Sequence, residues 1–207
     1  MTDRTIGLAF GIAAMALVVV ASNILVQHLL GDWLTWGALT YPFAFLVTDV
    51  TNRLLGPSAA RRVVVTGFGI GILCSLIAAA FDATTVRIAI GSGIAFLAAQ
   101  LTDVGIFQRL RDGVWWRAPL VSSLIGSALD TALFFFIAFS AALTALSPGD
   151  DVSWANEILP LLGFGPLAPL WVSLAVADFG VKLALAMLAL VPFRLAVNWF
   201  GARTHGA

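Results

Sequence analysis

Four aspartates and one lysine lie inside long apolar stretches of this sequence, where ionisable side chains are unusual. They are Asp49, Asp103, Asp130, Asp178 and Lys182. An ionised group inside a lipid bilayer costs at least about 2.5–3.5 kcal/mol, so such groups normally face the interior of a helix bundle or a water-filled cavity. A buried carboxylate can accept hydrogen bonds from a polar solute or carry a proton. These residue types therefore indicate a functional site within the membrane.

Helical spacing places polar neighbours beside two of these acids. Asn52 follows Asp49 by three positions and Gln100 precedes Asp103 by three, so each pair shares one face of a helix. Side-chain amides beside a carboxylate supply donors and acceptors for a polar solute. For Asp49 the structural alternative is an ion pair with Arg53 at the end of the same stretch.

The other ionisable residues form a local pair and two isolated acids. Asp178 and Lys182 are four positions apart, which is the spacing of a helical ion pair, and this pair is equally consistent with helix packing and with function. Neither Asp103 nor Asp130 has a basic residue within four positions of it in its own apolar stretch. Acids without local bases favour a polar cavity between helices over a purely structural role.

Residues that usually carry enzymatic chemistry are sparse. Cys74 is the single cysteine, and the two histidines, His28 and His205, are far apart, which argues against a zinc site or a nucleophile–histidine pair. The sequence has no GxxxxGK[ST] phosphate loop, so the chain does not hydrolyse ATP itself. We therefore expect no enzymatic activity, no cofactor and no metal. The rival enzymatic interpretation is an intramembrane hydrolase that pairs Asp103 with Asp130.

The elements that must position these residues are membrane helices. Hydrophobic residues make up 60% of the 207 positions and charged residues only 11%, whereas about a quarter of a soluble domain is charged. A helix needs about 20 apolar residues to cross a bilayer. Six stretches meet this requirement and predict an all-α integral membrane protein, a bundle of six transmembrane helices in one polytopic domain covering residues 1–207. The stretches are residues 6–30, 33–55, 63–81, 86–108, 118–146 and 168–195.

Two parts of the chain break this regular pattern. Pro42 lies inside the second stretch, where a proline removes a backbone hydrogen bond and kinks or interrupts the helix. Residues 159–169 are apolar but contain three prolines and two glycines. That composition is consistent with a re-entrant segment, a loop against the bundle or a short seventh hydrophobic element.

Charge and tryptophan placement agree on one orientation for the six helices. With the N-terminus inside, nine arginines fall in inner segments and only Arg87 falls outside, which is a strong positive-inside bias. All seven tryptophans fall near predicted helix ends, where indole rings prefer the headgroup region. We therefore predict a multi-pass protein of the cell inner membrane, with both termini cytoplasmic. Because the arginines are spread over several inner segments, we expect no binding of nucleic acid.

Several motifs in these stretches resemble a known family, the queuosine precursor transporters of the vitamin-uptake-transporter type. The resemblance covers about residues 20–195. The segments that carry it include residues 21–27 (ASNILVQ), 35–49 (TWGALTYPFAFLVTD), 100–103 (QLTD), 107–111 (FQRLR), 127–139 (SALDTALFFFIAF) and 178–182 (DFGVK).

The resemblance implies a small transporter that imports a 7-deazaguanine, either 7-cyano-7-deazaguanine or a related base, for synthesis of the tRNA nucleoside queuosine. The alternative is a substrate-binding membrane subunit of an ATP-driven vitamin-type transporter. The sequence leaves open whether the chain forms a homo-oligomer. It also leaves open whether transport is proton-coupled or facilitated.

The chemistry of such a base suggests how the intramembrane residues would recognise it. Its guanine-like edge has adjacent N–H and NH2 donors that match the two oxygens of one carboxylate, its carbonyl oxygen needs a donor, and its ring needs an aromatic or apolar neighbour. We expect Asp103 and Asp49 to contact the base directly, with Asp130 and the Asp178–Lys182 pair supporting them or coupling the cycle. The predicted substrate-binding residues are Phe45, Asp49, Asn52, Gln100, Asp103, Asp130, Asp178 and Lys182.

Overall fold

The computed structural model describes residues 3–204, and His205 lies outside this range. It contains seven α-helices and two short β-hairpins. The helices are α1 (Asp3–Leu25), α2 (Gly37–Thr40), α3 (Phe43–Leu55), α4 (Pro57–Ala80), α5 (Val86–Leu110), α6 (Arg117–Phe139) and α7 (Leu170–Thr204). The hairpins pair β1 (Leu29–Leu30) with β2 (Leu34–Thr35), and β3 (Ile158–Pro160) with β4 (Leu167–Pro169), both antiparallel.

Five of the helices, α1, α4, α5, α6 and α7, are long and apolar enough to cross a membrane. Large apolar side chains such as Leu17, Leu73 and Leu188 point away from the bundle on their outer faces. Lipid suits such a surface, because in water it would be an extensive exposed hydrophobic area. The structure therefore confirms the prediction of an all-α membrane protein.

The second predicted crossing, residues 33–55, is made by two helical segments rather than one helix. Residues 34–35 belong to β2, α2 has 4 residues and α3 has 13, and Tyr41 and Pro42 lie between them with helical dihedral angles. Pro42 has no N–H to donate, which separates the two hydrogen-bonded segments. Since α2 and α3 continue along one path, they span about 28 Å at 1.5 Å per residue, close to the ~30 Å thickness of the hydrocarbon core.

The ends of the other predicted crossings also differ from the apolar stretches. The first stretch extends to residue 30, but α1 ends at Leu25 and the chain turns into the first hairpin, with Gly31 at a positive φ of 68°. The fifth extends to residue 146, but α6 ends at Phe139 and a 3-10 helix follows (Ala141–Leu146). The third stretch begins at residue 63, whereas α4 begins at Pro57, a residue suited to the first turn of a helix. Apolar composition therefore does not mark the helix ends, because the segments that follow α1 and α6 are still rich in apolar residues.

Residues 159–169 form part of the second hairpin and fold as a loop against the start of α7. The Leu170 amide donates to the Glu157 carbonyl at 2.9 Å, and the Leu162 amide donates to Ser173 Oγ at 3.1 Å. Among the three alternatives left open by the sequence, the structure supports the loop.

Just before this hairpin, hydrogen bonds from the Ser153 hydroxyl and amide lower the pKa of the exposed Asp151 carboxyl.

Arginines cap helix ends at both sides of the bundle. At the end that carries the two hairpins (the hairpin end), buried Arg87 donates to the carbonyls of Ile137 at 2.7 Å and Ser140, near the C-terminus of α6. At the opposite, arginine-rich end, Arg53 donates to the Arg111 carbonyl at 2.6 Å and Arg111 donates back to the Arg53 carbonyl at 3.4 Å. Cations stabilise these termini because the last carbonyls of a helix lack intrahelical partners.

Close approach of α3, α5 and α6 depends on a glycine. A Cβ atom at Gly126 on α6 would lie 2.7 Å from the Phe45 ring of α3 and 3.3 Å from the Ala99 carbonyl oxygen of α5. The absence of a side chain at Gly126 therefore lets the three helices meet at the depth of the buried polar residues.

We predict that Gly126→Ala destabilises the protein, because overpacking a buried contact typically costs about 1–3 kcal/mol. Thermal unfolding in detergent, followed by the reaction of Cys74 with a thiol dye, measures the effect as a lower Tm. The matched control is Gly105→Ala on α5, where an added Cβ meets no atom within 4 Å and alanine is the better helix former. A Tm for Gly126→Ala equal to that of the control would contradict the packing argument.

Candidate functional site

A cavity of about 530 Å³ opens at the hairpin end of the bundle. Its mouth includes Asp32 of the first hairpin turn and Thr84 of the α4–α5 connection. Aromatic side chains form much of its wall: Trp33, Phe68, Phe96, Phe134, Phe135, Phe139 and Trp154. Cavities of this volume and lining are typical of sites for small organic molecules.

The floor of this cavity is an ion-paired cluster between α6 and α7. Lys182 Nζ lies 2.6 Å from Asp130 Oδ2, contacts Asp178 Oδ2 and donates to Thr131 Oγ1 at 3.0 Å. The Thr131 hydroxyl donates in turn to Asp178 at 2.7 Å. Tyr41, next to the break before α3, directs its hydroxyl at Asp130 Oδ1 at 3.4 Å. Two acids and one base thus meet at the bottom of an aromatic cavity.

A second cavity of about 20 Å³ lies on the other side of Lys182, towards the arginine-rich end. Phe45, Asp49, Ser123, Ser127 and Lys182 are among its lining residues. Its volume matches roughly one water molecule, which needs about 10–15 Å³ of this kind of space. Lys182 lines both cavities.

Below the small cavity, a buried polar cluster joins α3, α5 and α6. The Asp49 carboxylate accepts hydrogen bonds from Ser122 at 3.4 Å and Ser123 at 3.2 Å. The Thr48 hydroxyl donates to Gln100 Oε1 at 2.6 Å. We call this cluster the inner polar group; its members are Thr48, Asp49, Asn52, Gln100, Asp103, Ser122 and Ser123.

Asp103 is the least satisfied member of the inner polar group. It is fully buried, and neither carboxylate oxygen makes a hydrogen bond of acceptable geometry. The Asp49 carboxyl and the Ser122 hydroxyl are nonetheless its neighbours. Asp103 therefore lies beside a second acid without a base.

The structure separates the eight predicted site residues into three sets. Asp130, Asp178 and Lys182 form the floor of the large cavity. Phe45 and Asp49 line the small cavity. Asn52, Gln100 and Asp103 are completely buried and line neither of these cavities. Contact of any of the eight with a substrate stays a prediction.

Two features of the cavity were not predicted from the sequence. The base that pairs with Asp130 comes from α7, 52 positions along the chain, so inspection of positions next to Asp130 could not find it. The aromatic wall combines residues of several segments, and Trp33 and Trp154 were interpreted only as interfacial residues. A signal did exist in the four phenylalanines of residues 134–139, which follow Asp130 on one helix.

Apolar membrane-crossing helices around a solute-sized cavity with a charged floor define a class, the multi-pass membrane transporters. The family model described as "Putative vitamin uptake transporter" matches residues 35–197 of the chain. The chain belongs to this family. It is a transporter and not an enzyme. Asp103 and Asp130, the pair required by the hydrolase alternative, lie in separate polar clusters, because Asp130 pairs with Lys182 and Asp103 lies beside Asp49.

Three curated relatives carry a more specific name. The "Queuosine precursor transporter" of Escherichia coli K12 is 32% identical over 195 residues, covering 85% of this chain and 79% of the relative. A "Probable queuosine precursor transporter" of Haemophilus influenzae Rd is 32% identical over 174 residues, covering 76% and 66%. A protein of the same name from Bacillus subtilis 168 is 25% identical over 194 residues, covering 83% and 74%. No solved structure matches the chain significantly.

We predict that Lys182→Met destabilises the protein strongly, by about 3–5 kcal/mol, because removing one partner leaves buried acids uncompensated. The measurement is again the Tm in detergent from the reaction of Cys74. The triple variant Lys182→Met, Asp130→Asn, Asp178→Asn removes the acids as well and should recover much of the loss. If Lys182→Met alone melts like the wild type, the ion pairs do not contribute to stability.

Proposed function

We propose that this protein imports 7-cyano-7-deazaguanine, or a closely related 7-deazaguanine, across the cell inner membrane. The observation that carries the proposal is the large cavity, whose charged floor and aromatic wall suit a flat base with a polar edge. The names of the three curated relatives support the same substrate class. The cavity volume lies within the range of about 300–1,000 Å³ usual for small-molecule sites.

The aromatic wall of the cavity supplies the apolar part of recognition. A planar heterocycle can stack on, or meet the edges of, rings such as Phe96 and Phe134, both of which line the cavity. Tyr41 packs edge-on against Phe96, with ring centroids 5.9 Å apart. This contact fixes the Tyr41 ring at the bottom of the wall, where the base would reach the floor.

The charged floor supplies the polar part of recognition. In this proposal one carboxylate accepts the adjacent N–H and NH2 groups of the base, and Lys182 donates to its carbonyl oxygen in place of its hydrogen bond to Thr131. Asp178 is the better acceptor for the base, because its side chain is 13% exposed whereas that of Asp130 is 5% exposed. Asp130 then holds Lys182 in place. These contacts differ from those expected from the sequence, where Asp49 and Asp103 were assigned the base.

The side of the membrane to which the cavity opens is inferred from the charge distribution. Under the positive-inside rule, the arginine-rich end and both termini are cytoplasmic. The large cavity then opens to the outside, as the loading state of an importer requires. The seal below it consists of Lys182, the small cavity and the inner polar group.

The substrate test is uptake by bacterial cells that can neither make nor import 7-cyano-7-deazaguanine. We expect queuosine in their tRNA only when they express this chain and are given the base. Asp178→Asn should lower uptake by about tenfold or more, since one good charge-assisted pair contributes about 1.5–3 kcal/mol. The control variant is Asp151→Asn, which removes an acid from an exposed loop. Absence of queuosine despite confirmed membrane insertion would refute the assigned substrate.

The orientation has its own test, which uses the single cysteine of the chain. In a Cys74→Ala background, a cysteine is introduced at exposed Ser58, at the arginine-rich end, or at exposed Asp151, at the hairpin end. We expect a membrane-impermeant maleimide to label intact cells at position 151 and not at position 58. Labelling in the reverse pattern would invert the proposed topology.

A further inference from the structure

Unsatisfied polar atoms are concentrated at one place in the bundle. Among the described residues, five buried side-chain nitrogen or oxygen atoms have no hydrogen-bond partner, and four of them lie between α3 and α5. These four are Asn52 Oδ1, Gln100 Nε2 and both carboxylate oxygens of Asp103. Each such atom costs about 1–3 kcal/mol when left unpaired. Three of the four are acceptors, so the site lacks positive charge or donors rather than acceptors.

The charged residues at this place also indicate that the site lacks positive charge. Asp49 and Asp103 are buried neighbours, and the salt bridges of the described residues involve neither of them. Both acids ionised would put two negative charges together in a medium of low dielectric constant. The hydroxyls of Ser122 and Ser123 offset only part of this charge at Asp49.

Other charged groups on the surrounding helices do not neutralise the pair. On α7, Lys182 is bound to Asp130 and Asp178, and Arg194 stacks on Trp115 at 4.5 Å. At the ends of α3 and α5, Arg53 and Arg111 donate to each other's carbonyls. The remaining arginines at this end whose side chains are described are exposed: Arg4, Arg61, Arg62, Arg109 and Arg117.

We propose that the Asp49–Asp103 pair binds a monovalent cation, a proton or Na⁺, and that this cation drives import. A proton would add to one carboxylate oxygen and let that carboxyl donate to the other carboxylate. A sodium ion would take carboxylate oxygens together with Asn52 Oδ1. Either cation supplies what the unpaired acceptors lack. The inference rests on the proposed transport function, and it adds a second, separate site to it.

The structure offers a physical link between the cation site and the solute cavity. Tyr41 contacts the floor of the large cavity through Asp130, and Asp49 lies on α3, which begins just after the Tyr41–Pro42 break. The small cavity also joins Asp49 to Lys182 by way of Ser123 and Ser127. A movement of α3 at its break would therefore change both sites together. Coupling of this kind is typically worth a factor of 5–150 in affinity.

The test uses the full-length purified chain in liposomes, with labelled 7-cyano-7-deazaguanine as the solute. Net uptake is measured with an inward proton gradient, an inward Na⁺ gradient or no gradient, and solute exchange is measured at equilibrium. We expect one of the two gradients to accelerate wild-type uptake about tenfold; which gradient does so identifies the cation. Asp103→Asn and Asp49→Asn should each lose this acceleration while retaining exchange and solute binding within about twofold. Asp151→Asn should behave as the wild type.

Equal wild-type uptake under all three conditions would overturn the cation proposal and leave the substrate assignment standing. Loss of solute binding in Asp103→Asn would also overturn it, because Asp103 would then contact the base, as expected from the sequence. If the wild type binds no 7-cyano-7-deazaguanine in detergent, the substrate assignment fails instead. The cation site is then judged without a solute, by proton release on a pH jump and by ²²Na⁺ binding. Either signal in the wild type, lost in both asparagine variants, supports the site, and absence of both signals refutes it.

Discussion

The ion pairs of Lys182 with Asp130 and Asp178 are the interaction on which the rest of the bundle depends, because the surrounding helices must solvate these charges inside the membrane. Charges are tolerated within a membrane only where protein or water solvates them. One lysine between two acids satisfies most of this requirement and fastens α6 to α7 at a fixed depth. The large cavity borders the cluster, and Asp178 keeps 13% of its side chain exposed there. The break at Tyr41–Pro42 serves the same cluster, because it places a tyrosine hydroxyl next to Asp130.

Much of this architecture could be predicted because lipid leaves few choices. Apolar stretches of about 20 residues have to be helices, since no other single segment satisfies its own backbone in hydrocarbon. Pro42 predicted the interruption of the second crossing for a local chemical reason. Helix ends were less predictable, because residues 26–30 and 140–146 still contain many apolar side chains although α1 and α6 have ended. Hydropathy measures what surrounds a residue and not its backbone conformation.

The candidate site was predictable in composition and not in arrangement. Each acid was conspicuous by its type alone, and the spacing of Asp178 and Lys182 indicated the pair that the structure contains. Which acids face a cavity depends on how α6 rotates against α5 and α7, and small residues such as Gly126 govern that contact. Spacing along one helix carries no information about this. Asn23 illustrates the point at smaller scale, since its partner is Ser75 of α4, at 2.8 Å.

The two polar groups differ in the way they balance charge, and this difference suggests a division of roles. At the floor of the large cavity the acids share a fixed base, so a neutral solute with matching donors can bind there without a change in charge. In the inner polar group the acids have no base, and in our proposal a cation that binds and leaves balances their charge. A facilitator would need only the first group. The second group contains buried carboxylates without a base, and these lower the stability of the protein. Binding of a mobile cation explains why the protein contains them.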